Sequence, residues 1–557
     1  MNMKILPLAL ALLLSLTASA QPSWTKKASK SVFTLKTFAA DGSLLGSTCG
    51  FFTGTDGEAV SSFSPFKGAA TARVIDAQGR EMAVECMLGA NDTYDVARFR
   101  VAARKTTPLA IAADDAAKGS QVWLLPYRET KAAVQGTVVE AETFRDSYAY
   151  YTIALGPCPE GSAGCPLLNG QGQVVGLMQK PYRHDDTLSY AVSARFADSL
   201  SINGLSINDP TLRSTLIRKD LPQDLSQAVL TLYVAQASLD SAAYARLIDD
   251  FIDRFPSAPD GYTYRAQTAA AAGRFDDAAR DMEQAIRVAD RKDEAHFNYS
   301  KLIYQKEVYQ SHQPYGPWSL DKALAEAQEA ERLNPLAVYR HQQAVIRYAQ
   351  KQYREAADIY ATLYASELRS PELFYEAARC HEALADTLGQ LALLDSCIST
   401  FSQPYLKEAA PYLLARAQAL LDAGRYRPSV ADLNAYEKLM QTSVNANFYY
   451  LRFQAEVGGR LFQQALNDID RAIAMTPDYD LYYAEKASLL VRVGMNDEAI
   501  ATARRCVEVA PDHSDGSLFL GIAQCQKGMR QEGLENLRKA RELGDTQADA
   551  LIERFSK

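Results

Sequence analysis

The 557-residue chain has a formal net charge of −8, with 47% hydrophobic and 23% charged residues. It is too long for a single hydrophobic core, so two or more domains are expected. An acidic balance without a long basic run excludes nucleic acid and anionic lipid as electrostatically recruited partners.

Taken in chain order, Lys4 precedes an apolar run over residues 5–16, closed by Thr17-Ala18-Ser19-Ala20 before Gln21. A charged start, a short apolar stretch and small residues at the cut predict a secretory signal peptide over 1–20. The run is too short to span a bilayer, and no cysteine stands at the cut to take a lipid anchor. The mature protein is expected to begin near Gln21, exported and without a membrane span. The periplasm is the expected compartment, with release as the alternative.

Eight cysteines divide evenly between the halves of the chain, at 49, 86, 158 and 165, then 380, 397, 506 and 525. Spacing does not fix connectivity. Pairing of neighbours predicts Cys49 with Cys86, Cys158 with Cys165, Cys380 with Cys397 and Cys506 with Cys525. Buried free thiols remain the alternative, above all for the last two pairs. Zinc-type CxxC spacing is absent, and nothing points to a cofactor or metal.

From residue 31 to 193 the sequence alternates and turns often. Strands are expected over 32–38 and 44–52, then around 121–127 and 174–178. Turns fall at Asp41-Gly42, Asp56-Gly57, Gln78-Gly79 and Gly170-Gln171-Gly172. Many short strands at this spacing predict a barrel or sandwich. The stretch Pro159-Glu160-Gly161-Ser162-Ala163-Gly164-Cys165-Pro166-Leu167 reads as a tight turn feeding a buried strand.

That stretch resembles the nucleophile loop of trypsin-like serine proteases, Gly-Asx-Ser-Gly-Gly-Pro-Leu, through Gly161, Gly164, Pro166 and Leu167. The order of segments is similar to the bacterial periplasmic heat-shock branch of that family. Cys49-Gly50-Phe51-Phe52-Thr53-Gly54 matches its glycine-bearing strand, and Asp95-Val96-Ala97 matches the segment of the triad Asp. Ser189-Tyr190-Ala191-Val192-Ser193 matches the last strand. The resemblance implies an all-β double barrel over about 25–205.

The family's mechanism needs a hydroxyl nucleophile, an imidazole to take its proton and a carboxylate to orient that imidazole. Ala163 stands at the nucleophile position. Registering Asp56-Gly57 and Lys67-Gly68-Ala69 puts Ser64 at the histidine position, and no histidine occurs before His184. Asp95 is left without an imidazole, so no catalytic residue is expected. Two substitutes are conceivable, Ser162 with His184, and Cys165 as a thiol nucleophile. A turn at 161–163 could persist as an anion- or carbonyl-binding backbone.

Gly, Pro and Asn cluster over 206–224, which predicts a linker. Beyond it the chain becomes helical and self-similar. Ala465, Ala472 and Pro477 recur as Ala499, Cys506 and Pro511, and then as Gly533 and Ala540, at steps of 34 residues. Period and small residues resemble tetratricopeptide repeats, in which Ala or Gly lets paired helices approach closely. About nine helix pairs are expected over 225–557, an all-α solenoid. Tyr339, Tyr449, Tyr450, Tyr482 and Tyr483 fall on first helices, as core residues or, for a few, as contacts. The insert at 311–319 is either a contact loop or a longer turn.

Together these readings give an exported, non-enzymatic protease-like and tetratricopeptide scaffold. It would bind a protein or peptide through the repeat groove or assemble an envelope complex. The alternative is an active serine endopeptidase with a rearranged site.

Overall fold

The computed structural model describes residues 21–127, 132–144, 148–155, 159–180 and 188–557. The predicted leader, Cys158 and His184 lie outside the described residues. The chain forms two compact units, divided between residues 289 and 290.

In the first unit, twelve strands among the described residues build two closed barrels. The first barrel uses β1 (Val32–Phe38), β2 (Leu44–Phe52), β3 (Glu58–Ser61), β4 (Thr71–Ile75), β5 (Glu81–Asn91) and β6 (Val96–Val101), in the order β1-β2-β3-β6-β5-β4. The second uses β7 (Gln121–Leu124), β8 (Val134–Phe144), β9 (Tyr148–Ala154), β10 (Pro166–Leu168), β11 (Val174–Met178) and β12 (Leu188–Ser193), in the order β10-β11-β12-β9-β8-β7. The alternation read from the sequence is the cause: β1 turns Phe33 and Leu35 wholly inward, and period 2 puts successive side chains on opposite faces. Phe33, Phe52, Phe66 and Phe99 fill the first barrel. Phe51 and Val60, on the opposite faces of β2 and β3, join the core of the second. The barrels therefore share apolar packing.

Residues 206–221 are packed along the first barrel. Leu212 and Ile217 enter its core. Gly68 N–H donates to the Ser214 carbonyl at 2.7 Å, Leu216 N–H to that of Ala69 at 2.8 Å, and Asp220 N–H to that of Met87 at 2.9 Å. Four helices of the same unit follow: Leu225–Ala235, Ser241–Arg254, Pro259–Ala271 and Phe275–Val288. Arg254 donates to Asp220 at 2.6 Å, so the segment leaving the barrel is tied to the helices it leads into.

The second unit is a run of helices from Lys292–Tyr309 to Ala548–Ser556. With the four above, nineteen helices follow residue 224. The 34-residue pattern marks the crossings: Ala465, Ala472, Ala499, Cys506 and Ala540 are all buried on second helices. Gly533 admits no larger residue, because an added Cβ would stand 2.4 Å from Cys525 Sγ. Tyr339 and Tyr482 are core, 2% exposed each, whereas Tyr449 and Tyr450 are half-buried. In the insert, Trp318 is buried and its indole N–H donates to the Tyr299 hydroxyl at 3.1 Å. This end of the insert is a structural anchor.

One recurrent device is not evident from the sequence pattern. An arginine on a first helix is clamped by an aspartate sixteen positions later on the second. Arg416 donates through Nε and Nη2 to Asp432 at 2.8 Å each. Arg452 does the same to Asp468 at 2.5 and 3.0 Å. In the first unit Arg265 binds Asp281 at 2.9 and 2.8 Å. Such bidentate pairs fix the register of two helices as well as attracting charge. An i, i+16 Arg/Asp recurrence is the signal that would reveal them.

Candidate functional site

The site is built on two loops, one from each barrel. In the first barrel, Phe63 and Phe66 are fully buried and anchor the short 3-10 helix Ser64–Phe66, which leaves Ser64 exposed between them. Asp95 ends the turn before β6 in a left-handed conformation, φ 51°. Its carboxylate accepts the Ser64 N–H at 2.5 Å and the Ser64 hydroxyl at 3.2 Å. Asp95 thus caps the turn that carries Ser64.

In the second barrel, the loop before β10 is threaded through tight contacts. The Ala163 carbonyl accepts the Cys49 N–H at 3.1 Å and the Thr48 hydroxyl at 2.8 Å. Gly164 has φ +78°, and an added Cβ would meet the Cys49 carbonyl at 2.2 Å. Only glycine fits. The same Cys49 carbonyl accepts the Ser61 hydroxyl at 2.6 Å. Cys49 is therefore the node joining the end of β3, just before Ser64, to the loop of Ala163. Among the described residues, no backbone acceptor takes the N–H of Gly161 or Ala163.

The pairing of neighbouring cysteines expected from the sequence requires correction. Cys49 is bonded to Cys165, with Cα atoms 5.0 Å apart. Cys86 is a buried free thiol, and burial pushes its pKa up to about 12. The reason is barrel order: β3 and β6 stand between β2, which carries Cys49, and β5, which carries Cys86. The backbone bond from Cys49 to Ala163 brings Cys165 into reach instead. Cys380, Cys397, Cys506 and Cys525 are free thiols.

The two substitutes fare differently. Ser162 is 4% exposed, and its hydroxyl donates to the Pro159 carbonyl at 2.5 Å. Its expected partner His184 lies outside the described residues. Cys165 is held in the disulfide and offers no thiol. Among the described residues, no group of His, Cys, Asp and Glu could hold a metal ion, and no helix is long and apolar enough to cross a membrane.

Residues 48–177 match the family described as the trypsin-like peptidase domain. Among curated proteins, the chain is 27% identical over 104 residues to serine/threonine-protein phosphatase T of Trypanosoma brucei brucei, covering 19% of this chain and 22% of that protein. It is 24% identical over 121 residues to small glutamine-rich tetratricopeptide repeat-containing protein 2 of Saccharomyces cerevisiae, covering 22% and 35%. The match thus spans 22% to 35% of the length of these relatives. Similar solved structures include the active form of the Rv3671c protease from M. tuberculosis (TM-score 0.28, 19% identity, 32% of this chain and 82% of that one). Another is the serine endoprotease from Yersinia pestis (TM-score 0.28, 16% identity, 34% and 65%). The chain carries a trypsin-like peptidase domain of two barrels, followed by a helical repeat region.

Proposed function

We propose that this is an exported, non-catalytic protein. Its protease-like domain (25–205), the connecting segment 206–224 and the tetratricopeptide-like helices (225–557) would together recognise polypeptides or assemble an envelope complex. The observation that carries this reading is Ala163: a methyl group stands where the family has its nucleophilic hydroxyl. Ser64 adds to it, since a hydroxyl donating to Asp95 is no general base near neutral pH. Loss of triad members leaves about 10³–10⁴-fold acceleration over water in an otherwise intact protease, negligible for a peptide bond. The N–H groups of Gly161 and Ala163, which have no backbone acceptor among the described residues, support capture of a carbonyl without cleavage. Export is supported by the leader-like residues 1–20 and by the Cys49–Cys165 bridge, a bond that persists in oxidising compartments.

The rival reading, a serine endopeptidase using Ser162, is disfavoured by the buried hydrogen bond of that hydroxyl to Pro159. Fluorophosphonate labelling of the mature protein separates the two. Wild type is expected to stay unlabelled while a Ser64→His/Ala163→Ser variant labels. Labelling of wild type that Ser162→Ala abolishes would overturn the proposal.

A further inference from the structure

A pocket of about 260 Å³ lies where the loop of Thr93 and Tyr94, from the first barrel, meets β8 and β9 of the second. Among the described residues it is lined by Thr93, Tyr94, Glu142, Thr143 and Tyr150. Neither Ser64 nor Ala163 contributes to it.

Its walls follow from strand register. Glu142 and Tyr150 are direct partners across β8 and β9, so a carboxylate and a phenol ring stand side by side. Tyr151 points into the barrel and is fully buried, which turns Tyr150 outward. The rings are held by other rings. Tyr94 lies against Phe196 with centroids 4.4 Å apart, Tyr148 meets the same Phe196 at 5.0 Å, and Tyr150 stacks beside Tyr190 at 6.2 Å. Walls fixed in this way need little further ordering when a ligand enters.

Among the described lining residues, aromatic rings with negative π-faces and a carboxylate share a cavity below the usual size for a drug-like ligand. That combination suits a compact cation. Burial, and then the neighbouring Tyr190, raises the pKa of the Tyr150 phenol, which keeps it neutral at physiological pH. We propose that this pocket binds a cationic group, an alkylammonium or guanidinium, against the Tyr150 ring with Glu142 as counter-charge. The shared chemistry admits two sources, a basic side chain of a polypeptide or a free quaternary amine.

Saturation-transfer NMR on the full mature chain tests this. The cationic probes are Nα-acetyl-lysine methylamide, Nα-acetyl-arginine methylamide and tetramethylammonium; Nα-acetyl-norleucine methylamide is the neutral isostere. At least one cation is expected to bind saturably, about tenfold or more tighter than the isostere. Tyr150→Ala and Glu142→Gln should each weaken it by about three- to tenfold, and Tyr150→Phe, which keeps the ring, should retain it. Binding of the amino-acid amides assigns the pocket to a basic side chain, and binding of tetramethylammonium alone to a free amine. Absence of saturable binding by every cation, equal binding of the isostere, or indifference to Glu142→Gln overturns the proposal. Should Tyr150→Ala fail to fold, Glu142→Gln, an exposed and near-isosteric change, decides.

Discussion

Ser64 holds both oxygens of Asp95, the backbone N–H on Oδ1 and the hydroxyl on Oδ2. The Asp95 carboxylate thereby caps the turn that carries Ser64. Asp95→Ala removes the acceptor of both donors and puts alanine at φ 51°, so a loss of about 2–4 kcal/mol is expected. Asp95→Asn keeps an acceptor and tolerates that backbone, and Ser64→Ala loses only one hydrogen bond, so each should cost about 1 kcal/mol or less. Urea denaturation of the three variants checks the order; equal losses would contradict the capping role.

Gly161 and Gly164 have nearly the same φ, +77° and +78°, but different surroundings. Gly161→Ala meets nothing within 4 Å and should cost only the left-handed strain, about 1–2 kcal/mol. Gly164→Ala drives a methyl into the Cys49 carbonyl and should prevent the loop from docking on the first barrel. Hydrogen exchange at the Cys49 amide, which donates to Ala163, is the readout. It should quicken sharply in Gly164→Ala and barely in Gly161→Ala.

The Cys49–Cys165 bridge closes a sequence separation of 116 residues. A loop of that length predicts stabilisation of roughly 3–5 kcal/mol. Reductant should lower the melting temperature of wild type and leave that of Cys49→Ser/Cys165→Ser unchanged. Peptide mapping without reduction gives the direct check: a linked pair of Cys49 and Cys86 peptides would refute the assignment.

Glu456 is 3% exposed, and one of its oxygens has no partner. Burial, and then the neighbouring Asp468, raises its pKa to about 8, against the partial help of Arg452 and Arg471. The folded state therefore holds this proton more tightly than the unfolded chain. Stability from this group is fully present below about pH 4.5 and falls as pH rises toward about 8, by a few kcal/mol at most. Glu456→Gln should flatten that fall, seen as a smaller drop in melting temperature between about pH 5 and about pH 9. An unchanged pH profile would show that Glu456 is not the group responsible.

Much of the fold is legible in order along the chain. β1, β2 and β11 begin and end where alternation and turn residues place them, because strand and turn preferences act over a few residues. The 34-residue recurrence of Ala465, Ala499 and Gly533 marks the helical repeat for a similar reason, since a small residue at each crossing is a local demand. The disulfides are not legible. Proximity in sequence favours neighbours, but barrel closure puts two strands between Cys49 and Cys86 and brings Cys165 to Cys49. The Arg/Asp clamps are hidden at any single position and show only as a recurrence, because one charge names no partner until the i, i+16 spacing repeats.

The sequence by itself determined that a methyl stands at 163 and a hydroxyl at 64, the two positions that the resemblance aligns with the family's nucleophile and histidine. Only the tertiary structure decided what these residues do instead. The Ser64–Asp95 contact, the Cys49 node and the pocket between Tyr94 and Tyr150 each join segments at least 31 residues apart. Their geometry is set by how the two barrels close and pack, a cooperative property of the whole unit that no local stretch encodes.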